Sequence, residues 1–176
     1  MKKYKLFAVF LFLAVIVLSG CKNNNTNGQV SGVSDKNTNT SAVEQIWPEY
    51  TGEKGQTVEF ADTRAFFDKK SFDDGKAQFF NAEAGGKTVY FFIVKDKNGV
   101  YRAAANACQV CADAKMGFRQ EGNFMVCNTC GNRYPMEKIA TEKGGCNPVP
   151  ISPNLQVEDG NIIVQELDLK QIINFF

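Results

Sequence analysis

The segment YRAAANACQVC (Tyr101–Cys111), followed by MVCNTCGNRYP (Met125–Pro135) and GGCNPVP (Gly144–Pro150), decides how this chain is read. Five of its six cysteines fall there: Cys108, Cys111, Cys127, Cys130 and Cys146. They form two C-x-x-C pairs and one single thiol. Fifteen residues separate Cys111 from Cys127, and fifteen more separate Cys130 from Cys146. The first interval fits the spacing of a sulfur-ligated metal site. A C-x-x-C turn sets two sulfurs on one side of a tight loop. Two such turns on neighbouring hairpins therefore offer a tetrahedron of thiolates to one ion.

Working outward, the chain reads as strands and tight turns. Lys87–Lys95 (KTVYFFIVK) is rich in β-branched and aromatic residues and is the strongest strand candidate. Asn98-Gly99 suits a hairpin turn, and Val100–Asn106 returns as the partner strand that delivers Cys108. Met116–Gln120 and Asn123–Val126 make a second hairpin around Glu121-Gly122, delivering Cys127. Leu155–Glu158 and Asn161–Leu167 make a third around Asp159-Gly160. Thr57–Phe60 and Lys76–Asn81 are further strands. Ala61–Asp74 reads either as a capped helical turn or as an extended Arg64–Phe67, and Lys170–Phe176 as a helix or a strand. The expected fold is one mainly-β domain with short helices. Its hairpins carry paired C-x-x-C knuckles around a zinc-ribbon-like metal site.

Composition narrows the chemistry. The net charge is +1, with no basic field to favour nucleic acid. The chain has no histidine. This excludes Ser-His-Asp and Cys-His catalysis, histidine-ligated zinc and C-x-x-C-H haem attachment. Paired carboxylates, a P-loop and a dinucleotide fingerprint are also missing, so the chain reads more as a carrier or binding protein than as an enzyme.

The N-terminal region points to export. Lys2, Lys3 and Lys5 precede the uncharged run Leu6–Leu18, which ends in Leu18-Ser19-Gly20-Cys21. The run is short for a bilayer span, and its ending resembles a bacterial lipobox. Residues 1–21 are accordingly expected to be a lipoprotein signal peptide, with Cys21 lipidated on the extracytoplasmic face of the cell membrane. Residues 22–42 are rich in Asn, Thr, Ser and Gly and read as a flexible tether. Residues 43–176 form the Cys-rich metal-binding domain, with Trp47 and Pro48 packed on its edge.

Export also raises the alternative of disulfides. Two observations weigh against it. An odd thiol would be left over, and a C-x-x-C bridge closes too small a loop to remove much unfolded-state entropy. Spacing does not choose between structural zinc, a single iron and an iron–sulfur cluster. Cys146 exceeds what a zinc ribbon needs, which favours a cluster or redox role; the plainer reading of Cys146 is a buried apolar thiol. Gly131, directly after Cys130, would let backbone N–H groups turn toward the sulfurs. The stretch 101–146 holds six basic and four acidic residues, a small surplus against thiolate charge that a solvated surface explains equally well.

The runs DGKAQFF, GKTVYFFIVK, YRAAANACQVC, GFRQEGNFMVCNTCGNRYP and GGCNPVP, within Asp74–Ile151, resemble the FtrD-like family of membrane-associated iron–sulfur proteins. The resemblance implies an iron–sulfur cluster or iron held by Cys108, Cys111, Cys127, Cys130 and Cys146. It implies electron transfer, in some members beside a ferrous-iron permease. Many members carry several membrane spans before this domain, whereas the leader here reads as a lipid anchor and tether. Tyr101, Arg102, Arg119 and Arg133 are candidates to tune the centre or face an envelope redox partner; ordinary strand polarity accounts for each of them as well. The competing readings are a structural zinc-ribbon binding module and a thiol–disulfide oxidoreductase. The latter lacks a thioredoxin-like βαβ pattern around either pair.

Overall fold

Eleven strands are described: β1 (Gln56–Thr57), β2 (Arg64–Asp68), β3 (Gln78–Ala84), β4 (Lys87–Lys95), β5 (Tyr101–Cys108), β6 (Phe118–Glu121), β7 (Phe124–Cys127), β8 (Arg133–Pro135), β9 (Pro148–Ser152), β10 (Gln156–Glu158) and β11 (Asn161–Gln165). One α-helical turn, α1 (Glu166–Lys170), and short 3-10 turns complete the computed structural model, which describes residues 48–176. The leader, Cys21, the tether and Trp47 lie outside the described residues.

The strands form three sheets, in the orders β1-β3-β4-β5-β9, β10-β11-β2 and β6-β7-β8. Only β1 runs parallel to its neighbour, β3; every other pairing is antiparallel. The five-stranded sheet is buried on both faces, and the alternation along β4 shows how. Val89, Phe91 and Ile93 pack with Ala65, Phe67, Ile162 and Val164 of the β10-β11-β2 layer. Phe92 and Val94 pack with Phe118, Met125, Met136 and Ile139 on the β6-β7-β8 side. Successive side chains of a strand point to opposite faces, so an unbroken apolar run is what a doubly covered strand requires. Phe91, Phe92, Ile93 and Val94 are fully buried. Each contributes about 1.5–3 kcal/mol relative to exposure. Opposite them stand small residues: Phe91 faces Ala105, Phe92 faces Ala104 and Ile93 faces Ala103. The alanines leave room for the rings and for both covering layers.

The same alternation aims the first cysteine. Ala104, Asn106 and Cys108 share one face of β5, and Ala104 and Cys108 pack in the cluster that holds Cys127. Asn106 is fully buried there, and its Oδ1 accepts the Phe118 N–H at 2.7 Å.

Several boundaries differ from the sequence expectation for identifiable reasons. The first strand shrinks to Gln56–Thr57, although the Val58 N–H still donates to the Asn81 carbonyl. The ambiguous segment resolves as the extended β2 followed by a 3-10 turn, Lys69–Phe72, capped by Asp68. The β4–β5 turn uses positive φ at Gly99 but not at Asn98, because Asp96 Oδ1 accepts the N–H groups of Asn98 and Val100 and sets the turn itself. The second hairpin begins at Phe118, not Met116, because Lys115 and Gly117 adopt left-handed backbone just before it. The last segment is helical rather than extended: α1 and a 3-10 turn, Ile173–Phe175.

Candidate metal centre

Three strand ends meet at one corner. Cys108 is the last residue of β5, Cys127 is the last of β7, and Cys146 lies two residues before β9. Cys108 is the register partner of Pro148 on the antiparallel β9. The chain just before Pro148 must therefore run alongside the chain just after Cys108, and the Gln109 N–H donates to the Asn147 carbonyl at 3.0 Å. That pairing brings Cys146 to the first C-x-x-C turn.

The sulfurs of Cys108, Cys111 and Cys146 lie within 4.8 Å of one another. Those of Cys111, Cys127 and Cys130 do likewise, so the two triples share Cys111. The five thiols are free. The grouping cuts across the two C-x-x-C pairs, and Cys146 belongs to it as fully as the paired cysteines. Cys108 and Cys127 are buried, Cys111 and Cys146 half-buried, and Cys130 exposed. The cluster thus has a closed side against the sheets and an open side at Cys130.

The second knuckle is built by its backbone. The Gly131 N–H donates to the Cys127 carbonyl at 2.9 Å, and the Cys127 N–H to the Asn132 carbonyl at 2.9 Å. Gly131 has φ +74°, which a side chain would resist. The Thr129 and Cys130 N–H groups point at the Cys127 sulfur, and the Asn132 N–H at the Cys130 sulfur. The expectation that Gly131 turns amides toward sulfur is met at Asn132. In the first knuckle, Cys111 opens a 3-10 turn, Ala112–Ala114, closed by Lys115 at φ +53°.

Crowding sets the thiol acidities. The Asn132 N–H holds the Cys130 thiol below its ordinary value. Burial, reinforced by Cys108 and Cys130, pushes the Cys111 thiol well up. Burial raises Cys127 as well, against its two amide donors, and the neighbouring Cys130 raises Cys146. Packed sulfurs without a counter-charge keep their protons; a bound cation reverses that balance. Five unbridged thiols with amide donors aimed at two of them fit a sulfur-ligated metal or cluster.

A polar network fixes the Cys146 loop, and its members were not singled out from sequence. Asn147 is buried; its Oδ1 accepts from Gln109 Nε2 at 2.6 Å, and its Nδ2 donates to the Tyr134 hydroxyl at 3.0 Å and the Glu142 carbonyl at 3.2 Å. Tyr134 donates to the Glu142 carboxylate at 2.8 Å, and Asn132 Nδ2 to the Cys146 carbonyl at 3.0 Å. The available signal was placement: Gln109 lies inside one C-x-x-C, Asn132 just beyond the other, and Asn147 next to Cys146. Of the four candidate tuning residues, Tyr101 and Arg102 lie at the opposite end of β5 from Cys108. Arg102 pairs with the buried Asp96 at 2.9 Å, and Tyr101 packs edge-on to Phe72. Arg133 pairs with Glu121 on the surface and covers the Phe124 ring. Arg119 also pairs with Glu121 and donates to Asn128 Oδ1 at 2.9 Å, touching the second knuckle.

A mainly-β scaffold that gathers five reduced thiols at one corner defines a cysteine-rich protein with a site able to hold a metal. The chain belongs to the FtrD-like family, described as membrane iron-sulfur containing proteins, whose pattern matches residues 72–176. No curated protein and no solved structure matches it. Among the described residues, no helix is long and apolar enough to cross a membrane.

Proposed function

We propose that this protein is a lipid-anchored, extracytoplasmic electron carrier whose iron–sulfur centre is held by Cys108, Cys111, Cys127, Cys130 and Cys146. The observation that carries the reading is the pair of sulfur triples joined at Cys111. Family membership supports iron and sulfide as the occupant. Such a centre stores and releases single electrons, with a potential set by hydrogen bonds to its sulfurs and by solvent exposure. The chain's own part is to hold the thiolates, to aim amides at Cys127 and Cys130, and to shield all but one edge. Cys130 is exposed, and Val110, inside the first knuckle, is 63% exposed. Electrons would pass there to an envelope redox protein or to a ferrous-iron permease. The lipid anchor at Cys21 rests on the leader sequence, with residues 22–42 as its tether to the domain.

The test is purification without air, with iron, acid-labile sulfide and the visible spectrum measured per chain. Iron and sulfide in comparable amounts, with bands that bleach on reduction, support the reading. A colourless protein with one zinc would replace it with a structural zinc module. A metal-free protein whose cysteines cycle between thiol and disulfide would replace it with a thiol–disulfide enzyme. Radiolabelled palmitate on the wild type, absent from Cys21→Ser, tests the anchor.

A further inference from the structure

The five sulfurs of the corner are divided, and the division limits what they can grip. Cys108, Cys111 and Cys146 lie within 4.8 Å of one another, as do Cys111, Cys127 and Cys130. Neither triple extends to a fourth sulfur within that distance. A tetrahedral ion such as zinc takes four sulfurs, with bonds of about 2.3 Å that set every pair about 3.8 Å apart. Three sulfurs in a plane around one ion, at the same bond length, lie about 4.0 Å apart. The corner as folded therefore offers a pair of three-sulfur pockets, and a four-sulfur pocket only if a sulfur moves.

The backbone resists that move. Cys108 and Cys127 are buried at the ends of β5 and β7. The Gln109 N–H donates to the Asn147 carbonyl at 3.0 Å, and Asn132 Nδ2 to the Cys146 carbonyl at 3.0 Å, so the Cys146 loop is tied to both knuckles. Cys111 opens the 3-10 turn Ala112–Ala114, and the Lys115 carbonyl that follows accepts the Thr51 N–H at 2.8 Å. The Cys111 sulfur is the one both pockets use, and a thiolate has lone pairs enough to bridge two ions. The pockets differ in access. Every sulfur of the Cys146 pocket is buried or half-buried, whereas the other pocket opens at the exposed Cys130.

We infer that the metal-free corner is a two-ion site for copper(I), in which each triple holds one ion and the Cys111 thiolate bridges them. Soft thiolate sulfur selects copper(I). Copper(I) is satisfied by three sulfurs, whereas zinc in a thiolate site takes four. The amide N–H groups aimed at the Cys127 and Cys130 sulfurs offset part of the negative charge that the bound thiolates keep. The chain thereby captures copper(I), in competition with iron and sulfide for the same sulfurs. The site does not require an iron–sulfur occupant. Iron and sulfide in the purified protein test that reading, and copper binding to the metal-free chain tests this one, so their failures are separable.

The probe is copper(I) as its acetonitrile complex, titrated without air into the reduced, metal-free 176-residue chain in detergent. The chain carries Cys21→Ser, so that only the five thiols of the corner are present. Bound copper is counted against bicinchoninate as competitor. Saturation is expected at two ions per chain, one for each triple. Cys146→Ser and Cys130→Ser should each retain one ion. Cys111→Ser breaks both triples and should weaken all binding at least about 10–100-fold. Stripping by excess bicinchoninate should be biphasic, because only one pocket opens to solvent. Cys130→Ser should lose the fast phase and Cys146→Ser the slow one. Copper X-ray absorption of the chain with all five thiols guards against variants that misfold: three sulfurs around each copper, with the second copper as a near neighbour, are expected. Saturation at one ion, two or four sulfurs around each copper, or a loss in Cys111→Ser no larger than in Cys146→Ser would overturn the site.

Discussion

Asn147 Nδ2 donates to the Tyr134 hydroxyl at 3.0 Å, tying the loop of Cys146 to β8 and hence to the second knuckle. Asn147→Ala removes this contact and those to Glu142 and Gln109. Leaving buried polar partners unmatched costs about 1–3 kcal/mol. Urea unfolding of the metal-free chain should register that loss. Alkylation of Cys146 by iodoacetamide should accelerate while that of Cys108 and Cys127 does not. Unchanged stability together with an unchanged alkylation pattern would show that the network does not position the loop.

Cys111 is the sulfur common to both triples, so Cys111→Ser should harm the centre more than Cys146→Ser. Loss of even an outer partner of a metal ligand costs about 10–100-fold in affinity, and loss of a ligand costs at least as much. Iron and sulfide per chain after anaerobic purification are the measurements. If the Cys111 variant retains the wild-type content while the Cys146 variant loses it, the sharing does not describe the occupied site.

Asp96 supplies a pH dependence. Its side chain is fully buried beside Arg102. Burial alone would raise its carboxyl, but the Val100 N–H, Arg102 and the Asn98 N–H together bring it below the ordinary value of 3.8. A group depressed in the folded state adds stability that is complete above its unfolded value and disappears as pH falls through the folded value. Asp96→Asn should therefore lose about 1–3 kcal/mol at neutral pH. The gap from wild type should close as acid protonates the native carboxyl below pH 3.8. Denaturation curves of both proteins across that range test it. A gap independent of pH would mean the charge is not what matters.

Gly117 precedes β6 with φ +62°, and an added Cβ would meet Tyr50 Oη at 2.6 Å and Asn106 Oδ1 at 2.7 Å. Left-handed backbone costs a substituted residue about 1–2 kcal/mol, and overpacking adds about 1–3. Gly122→Ala is the control, with φ +58° and open space around the new methyl. Thermal unfolding should rank Gly117→Ala clearly below Gly122→Ala, and equal losses would show that the site relaxes freely.

Local physics made much of the chain legible in advance. The apolar run of β4, the Gly-bearing turns and the two C-x-x-C units are short-range patterns, and they specified hairpins that end in cysteine pairs. Zero histidines left sulfur, carboxylate and backbone oxygen as the groups able to ligate a metal. What no local pattern carries is which strand ends become neighbours. The pairing of β9 with β5, which sets Pro148 opposite Cys108, joins residues far apart in sequence and brings Cys146 into the cluster. Asn147, Tyr134 and Gln109 acquire their roles only through that pairing, because a hydrogen bond needs its partner within about 3 Å. The aromatic stack of Tyr50 on Tyr90 is of the same kind. Composition and short-range pattern specify the sulfurs and the hairpins, whereas only packing gathers the five sulfurs around Cys111, because proximity across sheets does not follow from spacing along the chain.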